Sequence, residues 1–351
     1  GRAHAEGSCR KQRKGAKPHN HMEEEGASSM KIRNTAIFMI AALFSCAFFS
    51  ASAADYRVKL IKKFYSIGTA TISGTYYPTG NSIARALSTN LQGIVAIAEP
   101  TAGSLANIEY LRRGQIDLAL LQSDVAWQAG NATADNRFRE LRIIASLYSE
   151  VIQLVVRDDS NIKELKDLKG CRIAVGEKDS GSAASIIPVF KAAGFEESDF
   201  TIVYERFTRA TESLIDGYVD AVYYAGAVPA DGIMRLNAKV PVRLISIPTE
   251  VRQKLLAEHP YFTAENILAG SYKNQKADVT TIGFRALFAG TERLSANEVF
   301  NILQAIYENP AAQGDLKLRK SEATRGVQPE MLHEGARRFF SAPGNAASPA
   351  K

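Results

Sequence analysis

Short apolar runs alternate with helix-length amphipathic segments along most of this chain. Phe64-Tyr65-Ser66-Ile67-Gly68 is a short strand that enters a polar loop, Thr69 to Gly80, and then a helix from about Asn81 to Leu91. Ile94 to Ala98 is the next strand, and Thr101-Ala102-Gly103-Ser104 opens a helix whose Leu105, Ile108 and Leu111 share a face. Gly114 stops that helix, and Ile116 to Leu121 forms a buried strand ending at Gln122-Ser123-Asp124. Glu150 to Arg157 is a longer strand, suited to crossing into a second half. A helical turn over Leu165 to Gly170 precedes the strand Arg172 to Gly176, and Asp179-Ser180-Gly181-Ser182 opens a helix that stops at Gly194. A second long run, Val279 to Ala289, carries the chain back, and Ser295-Ala296-Asn297-Glu298 is a capping box for a helix to about Tyr307, followed by Pro310. Strand and helix in alternation predict an α/β architecture with mainly parallel sheets.

One pattern recurs. Leu111-Arg112-Arg113-Gly114-Gln115-Ile116-Asp117-Leu118-Ala119 is echoed by Leu214-Ile215-Asp216-Gly217-Tyr218-Val219-Asp220-Ala221-Val222. Each is a helix end, a glycine stop and an apolar strand with an aspartate at its start. The repeat predicts two lobes of similar build, although helix–glycine–strand is also a common joint in α/β proteins.

Charge changes the picture only at the front of the chain. The 351 residues carry 43 Lys and Arg against 37 Asp and Glu, a formal net charge of +6. Eight of those basic and four of those acidic residues lie in the first 53, which leaves 35 and 33, a net of +2. The excess therefore belongs to the leader, and no basic surface remains to predict a nucleic-acid partner. From Met30 the order is a short basic stretch (Lys31, Arg33), an apolar run from Ile37 to Phe49, and Ala51-Ser52-Ala53, the pattern of a cleaved export signal. The apolar run is shorter than the roughly 20 residues of a membrane-spanning helix. Residues 1–29 are read as preceding the true start, 30–53 as the signal peptide with cleavage after Ala53 or Ala54, and Cys46 as a weaker lipidation candidate. The remaining chain keeps one cysteine, Cys171, expected to be a buried structural thiol.

Catalytic patterns are absent from the sequence. Asp179-Ser180-Gly181 resembles a serine-nucleophile segment, but the exported part offers only His259 and His333 as bases, and there is no G-x-S-x-G elbow. His333-Glu334-Gly335-Ala336-Arg337 lacks the second histidine of a zincin helix, and neither a Walker A loop nor a strand-borne G-x-G-x-x-G occurs. No metal site and no cofactor is predicted. What recurs is a loop of small and hydroxyl residues between a strand and a helix, as Ser73-Gly74-Thr75-Tyr76-Tyr77, Thr101-Ala102-Gly103-Ser104 and Asp179-Ser180-Gly181-Ser182. Backbone N–H groups at helix starts bind carboxylate or phosphate, and the carboxyl ends of parallel strands are where ligands sit in such sheets. Ordinary N-capping accounts for any one loop; three shared between two lobes predict an anion-binding cleft.

These residues resemble those of the solute-binding receptor of a tripartite ATP-independent periplasmic (TRAP) transporter, of the TAXI type. The resemblance runs from about Phe64 to Phe340. It rests on Gly74-Thr75-Tyr76-Tyr77-Pro78, Thr101-Ala102-Gly103-Ser104 with Asn107, Gly114 to Asp117, Gln122-Ser123-Asp124-Val125, Leu168-Lys169-Gly170, Val175-Gly176, Ser180-Gly181-Ser182, Asp220-Ala221, Ala225-Gly226, Pro229 and Leu332-His333-Glu334-Gly335-Ala336. No single piece is specific; their order and spacing is. The resemblance implies a type II periplasmic-binding-protein fold, two α/β lobes joined by hinge strands, with residues 55–149 and 283–351 in one lobe and 150–282 in the other. It implies a monomeric periplasmic receptor, not an enzyme, that captures a small anionic or zwitterionic solute (glutamate, glutamine or 2-oxoglutarate-like) for the membrane subunits of an ion-gradient-driven permease. The implied ligand contacts are Ser73, Gly74, Thr75, Tyr76, Thr101, Gly103, Ser104, Gln122, Ser123 and Asp124 in the first lobe. In the second they are Ser180, Gly181, Ser182, Ala225 and Gly226. Ala70-Thr71-Ile72-Ser73 stands where the family's first loop is richer in glycine. Of the pair Tyr223-Tyr224, strand alternation lets one ring face the cleft. Arg206, Arg209 and Arg285 are further carboxylate partners if they are not held in ion pairs. A transferase-like enzyme on the same fold, or a ligand-binding sensor module, are the alternative readings.

Overall fold

Two strands run through both halves of this molecule, and the rest of the architecture hangs from them. The computed structural model describes residues 63–131, 138–309, 316 and 318–342. The leader, its cleavage site, Cys46, Pro310 and the tail beyond 342 lie outside the described residues. The first half comprises β1 (Lys63–Gly68), α1 (Tyr76–Asn90), β2 (Ile94–Glu99), α2 (Ser104–Arg113), β3 (Leu118–Gln122) and α3 (Ser123–Asn131). Strand β4 (Leu141–Arg157) then leads into β5 (Arg172–Ala174), α4 (Gly181–Ala192), β6 (Thr201–Val203), α5 (Phe207–Ile215) and β7 (Ala221–Gly226). After these come α6 (Asp231–Lys239), β8 (Val242–Leu244), α7 (Thr249–Glu258) and β9 (Thr263–Ile267). Strand β10 (Val279–Thr291) returns the chain to the first half, where α8 (Ala296–Tyr307) and α9 (Glu334–Ser341) complete it.

The sheet order is β2-β1-β3-β10-β4-β7-β5-β6, with β8 on β4 and β9 on β10. Read outward from the antiparallel β10–β4 pair, the halves have the same order: third, first and second strand, all parallel. This is the two-lobed α/β architecture expected above, the type II periplasmic-binding-protein fold. The sequence echo marks its symmetry. Gly114 and Gly217 both adopt left-handed backbone, at φ 68° and 75°, where a side chain would be strained. Asp117, ahead of β3, accepts the N–H of Ser66 on β1 at 2.9 Å; Asp220, ahead of β7, accepts the N–H of Arg172 on β5 at 2.8 Å. The same carboxylate therefore pins the third strand to the first in each half.

Each half buries one hydrophobic cluster on either face of its strands. On β10, Phe284 belongs to a core of the second half and Phe288 to a core of the first, both fully buried. On β4 the change falls between Leu147 and Val151. Full burial of a side chain of this size contributes about 2 kcal/mol, so each half has a core of its own while sharing two strands.

Several elements differ from the sequence reading. Helix α1 begins at Tyr76 rather than near Asn81, because Pro78 lies in its first turn, where proline costs no hydrogen bond. Strand β4 begins at Leu141, ahead of Glu150. On α2 the buried face is Ser104, Asn107, Ile108 and Leu111, and Leu105 is exposed. The polar pair takes inward positions because both side chains bond to the neighbouring strand ends. Cys171 is half-buried rather than buried. The capping box of Ser295 and Glu298 on α8 is formed as expected. Among the described residues, no helix is long and apolar enough to cross a membrane.

Candidate ligand-binding cleft

The cleft begins with helix starts whose N–H groups have no side-chain cap. Thr75 precedes α1 and Gly103 precedes α2, and neither caps its helix; Ser180 caps α4 by accepting the N–H of Ala183 at 3.1 Å. The first four N–H groups of a helix lack partners inside it and carry a partial positive charge. Ordinary capping therefore explains the third loop but not the first two. Thr75 turns its hydroxyl toward the second half instead, 3.3 Å from the Tyr224 hydroxyl and 3.4 Å from the N–H of Ala227.

The halves are in contact around this point. The N–H of Ala106 in α2 donates to the Asp179 carbonyl at 3.3 Å. Gly103, at φ 123°, packs so closely that a Cβ would lie 3.1 Å from the Ser180 Cα. A Cβ on Gly181 would lie 1.9 Å from the Gln122 Oε1. Both glycines are needed for close approach between the halves, which leaves a cavity of about 70 Å³ at the strand ends.

Of the candidate contacts, Gly74, Thr75, Tyr76, Gly103, Ser104, Gln122, Ser180, Gly181, Ser182 and Ala225 line this cavity. Ser73 and Thr101 instead border a wider outer basin of about 1050 Å³ that shares Thr71, Gly74, Ala102 and Glu177 with it. The Thr101 hydroxyl lies 2.7 Å from the Asn107 Oδ1 and accepts the N–H of Gly103 at 3.1 Å, so it braces the loop from behind. Ser123, Asp124 and Gly226 border neither space. Ser123 is occupied by the N–H of Arg285 at 3.0 Å, and Asp124 lies beneath Gln122, whose Nε2 donates to it at 3.3 Å. Gly226 sits behind Tyr224, whose ring a Cβ would strike.

The three arginines are all engaged. Arg206 pairs with Glu177 at 2.9 Å beside the outer basin, and Arg209 with Glu212 at 3.4 Å. Arg285 is buried among Ser146, Ser149 and Glu322. Both tyrosines border the cavity, against the expectation of one. Alternation still holds: Tyr223 joins one core of the second half and bonds Ser185, while Tyr224 joins the other and stacks on Phe207 with ring centroids 4.1 Å apart. The cavity wraps the end of β7 and so meets both faces.

Sequence reasoning missed Glu150 and Phe207. Glu150 opened an apolar run and read as the start of a strand; its position in the interior of β4 was the signal, and only the strand's true beginning at Leu141 reveals it. Glu150 is 2% exposed and accepts a hydrogen bond from the Tyr76 hydroxyl at 2.5 Å. Burial pushes its carboxyl up to about 8, and burial pushes that of Asp124 up to about 7. Unfolded, such groups titrate near about 4. The folded protein thus holds more protons than the unfolded chain across this window, so this contribution to stability is full below about pH 4 and is lost as pH rises through 7 to 8. The ligand-free protein is expected to melt at a lower temperature at pH 8.5 than at pH 6 by calorimetry. A higher melting temperature at pH 8.5 contradicts this assignment.

The remaining candidates for chemistry have structural roles. His333 caps α9 by accepting the N–H of Gly335 at 3.1 Å, and His259 lies 3.1 Å from the Tyr261 hydroxyl. Among the described residues there is no group of three or more histidine, cysteine, aspartate or glutamate side chains able to hold a metal ion.

A model of the NMT1-like family matches residues 67–344 of this chain. A protein of Bordetella bronchiseptica RB50 has a similar fold, with a TM-score of 0.50, 17% identity, and coverage of 82% of this chain and 83% of that one. The periplasmic aliphatic sulphonate binding protein SsuA from Escherichia coli matches at a TM-score of 0.41 and 16% identity, over 73% of this chain and 80% of that one. An ancestral arginine-binding protein bound to arginine matches at 0.47 and 16%, over 73% and 98%.

Proposed function

The chain belongs to the NMT1-like family, and we propose that it is an extracytoplasmic solute-binding receptor whose two lobes close over a small carboxylate-bearing solute. The observation that carries this reading is the convergence of α1, α2 and α4 on one cavity, the first two without a side-chain cap. An incoming carboxylate meets the N–H ends of helices there, two of them without a side-chain cap, and needs no arginine. A hinge on β4 and β10, close to lobe boundaries at 149/150 and 282/283, is supported by the change of core within each strand, between Leu147 and Val151 and between Phe284 and Ala286. Rotation about two such strands opens the cavity toward the outer basin with little disturbance of either core. The wall is aromatic and hydroxylic, which suits a glutamate, glutamine or 2-oxoglutarate-like solute.

The order of motifs from Gly74-Thr75-Tyr76-Tyr77-Pro78 to Leu332-His333-Glu334-Gly335-Ala336 supports a TRAP permease, driven by an ion gradient, as the recipient, and the Met30–Ala53 pattern supports delivery from the periplasm. Thermal melts of the exported chain against a panel of amino acids and dicarboxylates test the reading. A true ligand at about 100 times its Kd adds about 2.7 kcal/mol and raises Tm by roughly 5 °C. A panel in which no small polar solute moves Tm overturns the receptor assignment.

A further inference from the structure

We propose that Glu150 reads a cationic group of the ligand, so that the solute of this cleft is a zwitterionic amino acid rather than a dianionic acid. The inference rests on the receptor reading and narrows it to one chemical class.

Glu150 borders the cavity from the interior of β4, almost fully enclosed by protein. Among the described residues, its carboxylate has one hydrogen bond, from Tyr76, which occupies one oxygen and leaves the other unpaired. The titratable groups whose charge it feels are Tyr76 from α1, which bonds it, Tyr148 from β4 itself, Asp124 from α3 and Tyr224 from β7. None is a cation. The other acidic residue of the cavity wall, Glu177, is engaged by Arg206 on the outer side. Among the described residues, no lysine, arginine or histidine side chain borders the cavity. A buried carboxylate without a cation is costly, and the cost falls when a ligand brings the missing charge.

The cavity is thus polar in a defined sense. Helix N-termini at Thr75, Gly103 and Ser180 favour a negative group, while Glu150 favours a positive one. Phe207, Tyr223 and Tyr224 complete the wall. A zwitterion satisfies both ends. A dianion such as 2-oxoglutarate satisfies the helix ends but brings a like charge to Glu150.

The test compares amino acids with their deaminated counterparts, glutamate with glutarate and glutamine with glutaramate, by titration calorimetry on the exported chain. The wild type is expected to prefer the amino acid by roughly 100-fold, and Glu150→Gln to lose most of that preference. Equal or tighter binding of the deaminated acids overturns the inference while leaving the receptor reading intact. Absence of binding by any compound of either class counts against the receptor reading and the inference together. If Glu150→Gln does not fold, the wild type alone decides. Titration at about pH 7.5 in two buffers of different ionisation enthalpy reads the protons exchanged on binding. A cation beside Glu150 drives net proton release, and net uptake contradicts the proposal.

Discussion

Gly181→Val is expected to weaken ligand binding by about 30-fold, from roughly 2 kcal/mol of overpacking, with a change in the ligand-free Tm of no more than about 2 °C. Gly181 is the first residue of α4 in the second half, and it faces the Gln122 side chain at the end of β3 in the first. A Cβ there would stand 1.9 Å from Oε1 and 2.2 Å from Cδ of a glutamine that is 4% exposed and bonded to Asp124. Gln122 has little room to retreat, so the halves must part. Because the clash lies between the halves, each core survives. Calorimetric titration with a ligand identified by the thermal panel measures the affinity, and small-angle scattering of the free protein reads the separation. Wild-type affinity in the valine variant means that the solute binds with the halves apart.

Asn107→Ala is expected to cost about 3 kcal/mol of stability and to lower Tm by roughly 6 °C. The side chain is fully buried in α2. Its Nδ2 donates to the Thr69 carbonyl at 2.7 Å and to the Leu120 carbonyl at 2.9 Å, while its Oδ1 lies 2.7 Å from the Thr101 hydroxyl. One side chain thereby ties the start of the first cleft loop, the start of the second and strand β3 together. Alanine takes the amide donor from the buried Leu120 carbonyl and leaves the Thr69 carbonyl with the Thr101 hydroxyl alone, and a buried group that loses its partner costs more than a bond is worth. The urea midpoint should fall with an unchanged slope. Affinity should fall too, since Gly103 loses the brace that Thr101 gives it. An unfolding free energy within about 0.5 kcal/mol of wild type shows that the loops hold by other means.

The two variants show where sequence reasoning reached and where it stopped. The helix-glycine-strand echo was legible because Gly114 and Gly217 sit where only glycine is unstrained, a backbone requirement that needs no tertiary partner. The paired aspartates after them were visible as residues, but their common role, holding the third strand to the first, depends on strands distant in sequence. The hydroxyl loops were legible as helix starts. That Ser180 caps its helix while Thr75 reaches across to Tyr224 was not, because capping and bridging use the same residue type. Ser123 and Asp124 belong to the same short stretch as Gln122, yet β3 gives way to α3 there and only Gln122 meets the cavity.

What the sequence determined by itself was the alternation of strands and helices, the two-fold repetition and the small, glycine-rich helix starts, all set by local periodicity and backbone preference. Tertiary structure alone decided the polarity of the cleft. Glu150 is ordinary in sequence. It becomes a buried, raised-pKa carboxyl because β4 runs between two cores and carries it to a cavity wall that, among the described residues, holds no cationic side chain. Burial is a property of what surrounds a residue, and its surroundings come from α1, α3 and β7, which only folding brings together.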